Sequence, residues 1–277
     1  MTKNDWFTTN LSERTRSNLC DLKLGLQPYE FEDQRFLDVA RKTARDLCDT
    51  FDNLHLCYSG GSDSEFVLQT FSLTGLPITP VLIDTPFNQY EMGFAYEQCT
   101  RYGAKPMVLS YTKNEIIDKL KERSLDRGLF SLLGGLPLVA CDAVNQVGGK
   151  LLTGYGDPFS IISGLNPTHP LSTTLEFSEW DYYLDSYDSS HPSGFFTYDI
   201  ALFHALISQI EYGAPVQQAK CDLYDVPYRM KMYWKEEFYQ IFRDIRLEFS
   251  GFSVSAAQGH MLENLNKYGI KEKLWLK

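Results

Sequence analysis

The chain has 277 residues, of which 43% are hydrophobic and 22% charged, and it carries a net charge of −10 from 26 Lys plus Arg against 36 Asp plus Glu. This is the composition of a soluble globular protein, with enough chain for one large domain, and it argues against a broad basic face for duplex nucleic acid, although a local cluster could still grip a tRNA end. Eighteen consecutive apolar residues occur nowhere, the first residues lack the apolar region of a secretory signal, and the expectation is a cytoplasmic protein without a membrane span.

The six cysteines, Cys20, Cys48, Cys57, Cys99, Cys141 and Cys221, form no CxxC pair and share no metal spacing with the histidines, so they read as reduced core thiols. Residues 1–30 are polar with scattered apolar positions and read as an arm over the body. From Glu30 onward Phe36, Ala40, Ala44, Leu47 and Phe51 recur at helical spacing, which predicts an amphipathic helix leading into a short apolar strand, Leu54 to Tyr58. Ser59-Gly60-Gly61-Ser62-Asp63-Ser64 follows. Ser62 or Asp63 suits a helix N-cap, and Phe66, Val67 and Phe71 supply an apolar helix face. Gly60 and Gly61 allow positive φ and close approach, so successive N–H groups between strand and helix can point at one anion where the helix dipole is positive. That anion is expected to be a phosphate.

Gly75 and Pro77 stop this helix, and Thr79 to Thr85 reads as a second buried strand. Ligands of a parallel α/β sheet gather at the carboxyl ends of strands, so Asp84-Thr85-Pro86-Phe87-Asn88 should face the same crevice as the glycine turn. Asp84 is a candidate ribose or metal ligand, with capping as the bland alternative. For Asn88, ligand contact and capping of the next helix stay equally open; that helix places Met92, Ala95, Cys99 and Tyr102 on one face before Gly103. A third strand is expected at 105–111 and a charged helix at 114–126. Pro137 then marks the first turn of another helix, Gly148-Gly149 its end, and Lys150 to Thr153 a fourth strand. The alternation predicts an α/β fold, a Rossmann-like parallel sheet flanked by helices, with right-handed crossovers.

The fourth strand empties into Gly154-Tyr155-Gly156-Asp157-Pro158. Gly154 and Gly156 are candidate phosphate-binding positions. Mg²⁺ is usually held by one or two carboxylates plus phosphate oxygens, which makes Asp63 and Asp157 the candidate metal ligands. Gly-Asp-Pro is also an ordinary turn sequence, and that alternative stays open. Beyond residue 160 the signals loosen. Ser178 to His191 is rich in aromatics and acids, as a half-buried edge or a substrate-facing surface would be, and His169 and His191 flank it without a motif. Thr197 looks like the N-cap of a helix from Tyr198 to Tyr212. Arg229 and Lys231 lie in the densest basic and aromatic stretch, which otherwise reads as part of a helix from Pro227 to Phe249 with its cations on a solvated face.

Ser59 to Ser64 resembles the Ser-Gly-Gly-x-Asp-Ser signature of the PP-loop ATP pyrophosphatases at all five specified positions, and no Walker A sequence occurs. The likeness is specific over 54–71, moderate to 158 and faint beyond. It implies a HUP-type nucleotide-binding domain over 31–160, preceded by the 1–30 arm and followed by a mainly helical accessory region over 161–277. It implies ATP and Mg²⁺ as cofactors, nucleotide contacts at Ser59, Gly60, Gly61, Ser62, Asp63, Ser64, Asp84, Gly154 and Gly156, and catalytic roles for Asp63, Arg229 and Lys231. The implied reaction cleaves ATP to AMP and pyrophosphate, adenylating a carboxylate, amide or carbonyl oxygen of a small molecule or modified nucleoside for attack by a nitrogen nucleophile. The chain begins Met-Thr, without the N-terminal Cys of asparagine synthetases, so ammonia, an amine or a separate subunit is expected to supply nitrogen. Two alternatives accompany this reading. One is a phosphoadenylyl sulfate reductase-like or sulfurtransferase enzyme, which Asp84 to Cys99 resembles somewhat, although no cysteine lies near the C-terminus. The other is a non-catalytic adenine-nucleotide-binding protein. Phe195 to Tyr198 and Arg229 to Lys231 resemble segments of bacteriophage PP-loop proteins, implying a host cytoplasm, and the oligomeric state is left open, a homo-oligomer included.

Overall fold

The computed structural model describes residues 7–9, 24–26, 34–127, 135–154, 188, 190–209 and 216–227. Phe7–Thr9 (β1) and Leu24–Leu26 (β2) pair antiparallel. Then follow α1 (Phe36–Thr50), β3 (Leu54–Cys57), α2 (Ser62–Thr74), β4 (Thr79–Asp84), α3 (Gln89–Arg101), β5 (Met107–Ser110), α4 (Lys113–Arg127), α5 (Gly135–Gln146) and β6 (Lys150–Thr153). A two-residue β7 (Ser193–Gly194), α6 (Phe195–Tyr198), α7 (Ile200–Gln209) and α8 (Val216–Tyr224) complete the described chain.

The main sheet runs β5-β4-β3-β6-β7 with every pair parallel. Parallel strands need helices over both faces, and side chains alternate along each strand. Leu54, Leu56, Tyr58, Leu82 and Leu152 accordingly pack on one side with α1, α2, α3 and the late helices α6 to α8. Val81, Ile83 and Leu151 pack on the other side with α4 and α5. The result is the Rossmann-like α/β architecture expected from the strand and helix alternation.

Chain order explains where a ligand would sit. From β3 the chain steps outward through β4 to β5, then returns over α4 and α5 to place β6 on the opposite side of β3. The carboxyl ends of β3 and β6 therefore flank the point where the winding direction reverses, the crevice that open α/β sheets use for ligands. The two strands are in register, Leu54 opposite Lys150 through Cys57 opposite Thr153.

Several local details depart from sequence expectation. α2 begins at Ser62 with Gly61 in the N-cap position and no side-chain cap, so neither Ser62 nor Asp63 fills that role. Gly61 is extended at φ −83, and only Gly60, at φ +71, needs the left-handed region. Thr197 does not start the later helix. It lies buried inside α6 and donates its hydroxyl to Gly194 O at 3.1 Å, while Asp199 accepts the Ala201 N–H at 2.8 Å and caps α7. A carboxylate between two short helices is the stronger cap because it takes the second helix's orphan N–H without competing for a turn of its own. β7 was not anticipated, since two residues carry no periodicity. Expectations for residues 155–187 and 228–277, including Asp157, Arg229 and Lys231, lie outside the described residues.

Candidate nucleotide site

The loop between β3 and α2 is braced by its own serines. The single Ser64 hydroxyl proton goes to Gly61 O, 3.0 Å away, so in the 3.3 Å contact between the two hydroxyls Ser59 is the donor. Ser64 Oγ also accepts the Ser59 N–H at 3.3 Å, and Ser59 Oγ accepts the Gly61 N–H at 3.4 Å. Both signature serines thus fix the loop conformation. A Cβ on Gly60 would stand 3.0 Å from the backbone oxygen of Glu91, so its glycine is required by the close approach of α3 as well as by its φ.

The first N–H groups of α2 have no intrahelical acceptor by geometry, and they open at the carboxyl end of β3 with the positive end of the helix dipole. Gly154, the first residue after β6, packs against this turn. A Cβ there would lie 3.0 Å from both Ser64 N and Ser64 Cα and 3.3 Å from the Asp63 carbonyl carbon. Sequence reasoning placed Gly154 near the loop, and the structure brings them into contact. Gly156 and Asp157 lie outside the described residues.

Asp63 occupies the second position of α2 and meets a partner that sequence reasoning missed. Lys220, on α8, places Nζ 2.8 Å from Asp63 Oδ1. The contact is a close ion pair rather than an aligned hydrogen bond. Lys220 is 1% exposed and Asp63 29%, yet Oδ1 is wholly buried, so the carboxylate's exposure lies away from the lysine. The Lys220 ammonium also stands 6.0 Å from the Tyr224 ring centre. Tyr224 stacks on Phe66 at 4.4 Å, and Phe66 on Phe36 at 5.1 Å and Phe196 at 5.9 Å. A lysine capping an aromatic stack is tolerable only with a counter-charge, which Asp63 supplies. The available sequence signal was a lysine in the buried stripe that continues through Tyr224.

At the end of β4, half-buried Asp84 accepts a hydrogen bond from Gln89 Nε2 at 2.6 Å. Asn88 is committed to the turn. Its Oδ1 accepts the Thr85 N–H and hydroxyl, both at 2.9 Å, and its Nδ2 donates to Ile83 O at 2.7 Å. His191 is likewise structural. Its Nδ1 accepts the Leu151 N–H at 2.7 Å, which places the proton on Nε2, 3.1 Å from Cys141 Sγ and 3.2 Å from Asp188 Oδ2. Burial pushes the Cys57 and Cys141 thiols up to about 12 and Cys99 up to about 11, and raises Cys221 beside the loop as well. Thiols held there are poor nucleophiles at neutral pH.

Among the described residues no group of three or more His, Cys, Asp or Glu could hold a metal ion, and no helix is long and apolar enough to cross a membrane. The described residues alone therefore do not cage a metal. An ion sharing Asp63 with phosphate oxygens and water fits, because Mg²⁺ commonly takes a single carboxylate and completes its shell with substrate.

No protein-family model and no curated protein sequence matches the chain. Among solved structures, it is similar to NMN synthetase from Francisella tularensis, at 11% identity over 73% of this chain and 100% of that one, with a TM-score of 0.38. It is also similar to the NH3-dependent NAD synthetase of Campylobacter jejuni, at 10% identity over 89% of this chain and 99% of that one, with a TM-score of 0.41.

Proposed function

We propose that this protein binds ATP on the Ser59 to Ser64 loop and cleaves it between the α and β phosphates. The AMP moiety would pass to a carboxylate, amide or carbonyl oxygen of a small molecule or modified nucleoside, pyrophosphate would leave, and a nitrogen nucleophile would then displace AMP. One observation carries the reading. A braced glycine loop opens onto a helix N-terminus at the sheet's switch point, with Gly154 and the Asp63–Lys220 pair meeting there.

Each described group has a task in this scheme. The α2 N–H groups and the Lys220 ammonium would bear the charge that grows on the departing pyrophosphate. Asp63 would hold Mg²⁺ together with phosphate oxygens, and the ion would supply further charge neutralisation. Asp84 would bond the ribose. Asp157 as a second metal ligand, and Arg229 and Lys231 as further cations, remain part of the proposal. Among the described residues Cys57, Cys99 and Cys141 are kept protonated by burial, which does not favour the sulfur-transfer alternative.

The test is incubation with α-labelled ATP, Mg²⁺ and a metabolite extract, resolving AMP, ADP and adenylated species while assaying pyrophosphate. AMP with equimolar pyrophosphate is expected. ADP with orthophosphate would refute the cleavage position, and tight ATP binding with neither product set would favour the non-catalytic binding protein.

A further inference from the structure

We propose that Lys220 is a resident counter-cation which keeps divalent metal off Asp63 until a polyphosphate occupies the loop, and which then changes partner from Asp63 to a phosphate oxygen. The inference rests on the ATP-binding reading above and concerns the order in which the loop's ligands arrive.

The argument begins with charge. Asp63 has a full positive charge 2.8 Å from Oδ1. Its backbone sits in the first turn of α2, where the helix dipole adds further positive potential. A divalent ion approaching Asp63 would face both, and among the described residues no cluster of ligands would complete its shell. The local potential therefore favours an anion over a cation. A polyphosphate reverses this balance, because its oxygens can take the lysine's charge and supply most of a metal's ligands.

Lys220 is 1% exposed, so the exchange requires a phosphate oxygen to enter between the lysine and the loop. Lys220 is anchored on α8, which the Tyr224 ring holds to Phe66 of α2, while the lysine's four-carbon stem can rotate. Only Oδ1 is committed to the lysine, and the exposed part of the Asp63 side chain lies elsewhere. The pair is thus a preset contact that a bound phosphate would reassign.

The experiment measures Mn²⁺, as a Mg²⁺ surrogate, by the loss of its free electron-spin resonance signal in the absence of nucleotide, alongside calorimetric binding of pyrophosphate. Wild type should bind Mn²⁺ weakly at Asp63. Lys220→Met should bind it at least tenfold more tightly, Lys220→Arg should behave as wild type, and adding Asp63→Asn to Lys220→Met should abolish the gain. Lys220→Gln, which keeps a donor for Oδ1 but no charge, should show the same gain and serves if the methionine variant does not fold. A neutral variant with Mn²⁺ affinity within twofold of wild type, in a protein that still binds pyrophosphate, overturns the inference and leaves the proposed function standing. Failure of wild type to bind pyrophosphate with or without Mn²⁺ overturns both.

Discussion

Asp63→Ala tests whether the loop carboxylate is structural as well as functional. Removing it takes away the carboxylate beside the Lys220 ammonium, which is 1% exposed and stands over the edge of an aromatic stack. Breaking one side of a buried pair typically costs about 3–5 kcal/mol, and the 29% exposure of Asp63 points to the lower end, about 3 kcal/mol. For a chain of this size each kcal/mol moves the melting temperature by about 2–4 °C, so a fall of roughly 6–12 °C is expected in metal-free, nucleotide-free buffer. Differential scanning calorimetry of the single variants and of Asp63→Ala/Lys220→Met completes a double-mutant cycle. Removing both charges should recover about 2 kcal/mol, whereas additivity within about 0.5 kcal/mol, or an Asp63→Ala melting temperature within about 1 °C of wild type, would refute the pairing.

Gly154→Ala would press a methyl group against the backbone of Ser64; pyrophosphate affinity should fall about tenfold, with a stability cost of about 1–3 kcal/mol, and unchanged calorimetric binding would separate the β6 exit from the site. Desolvation pushes the Asp188 carboxyl up, but hydrogen bonds from Ser190 and Asn145 and the electrostatic attraction of the neighbouring His191 outweigh it and hold the group at about 2. A carboxyl depressed on folding stabilises above its unfolded value and loses that contribution as pH falls, here between about pH 4 and pH 2. Urea unfolding should show wild type losing about 1–2 kcal/mol across that window and Asp188→Asn losing that much less; identical acid limbs would contradict the assignment. Cys57 and Cys141, held at about 12, should resist iodoacetamide in the native protein at pH 8 and react once it is unfolded, and mass-spectrometric labelling of either in the native state would show their burial to be wrong.

The loop, the strands beside it and the helix ends were legible because their causes are local. β3 and β6 lie in the sheet interior with helices over both faces, so they read as short apolar runs, and Gly75, Gly103 and Gly148 end helices at φ between +64 and +67, which only glycine adopts readily. Lys220 was legible only in part. Its place in the stripe that continues through Tyr224 marks it as a buried lysine, but nothing within its own helix names the carboxylate, far away in the chain, that it meets. The Gly61 cap was misread for a related reason, since Ser62 and Asp63 have the better capping propensity but are used inside the first turn, where Asp63 meets its distant partner. Asn88 could not be decided from sequence either: it stands at the N-cap position of α3 without a side-chain cap, and its amide instead braces the preceding turn.

The aromatic stack has a consequence for motion. Phe36, Phe66, Phe196 and Tyr224 bolt α1, α2, α6 and α8 into one stiff block, with Asp63 and Lys220 both mounted on it. Rearrangement at the loop's acidic corner would then be confined to side chains, with the helices that carry Asp63 and Lys220 held in place by the rings between them.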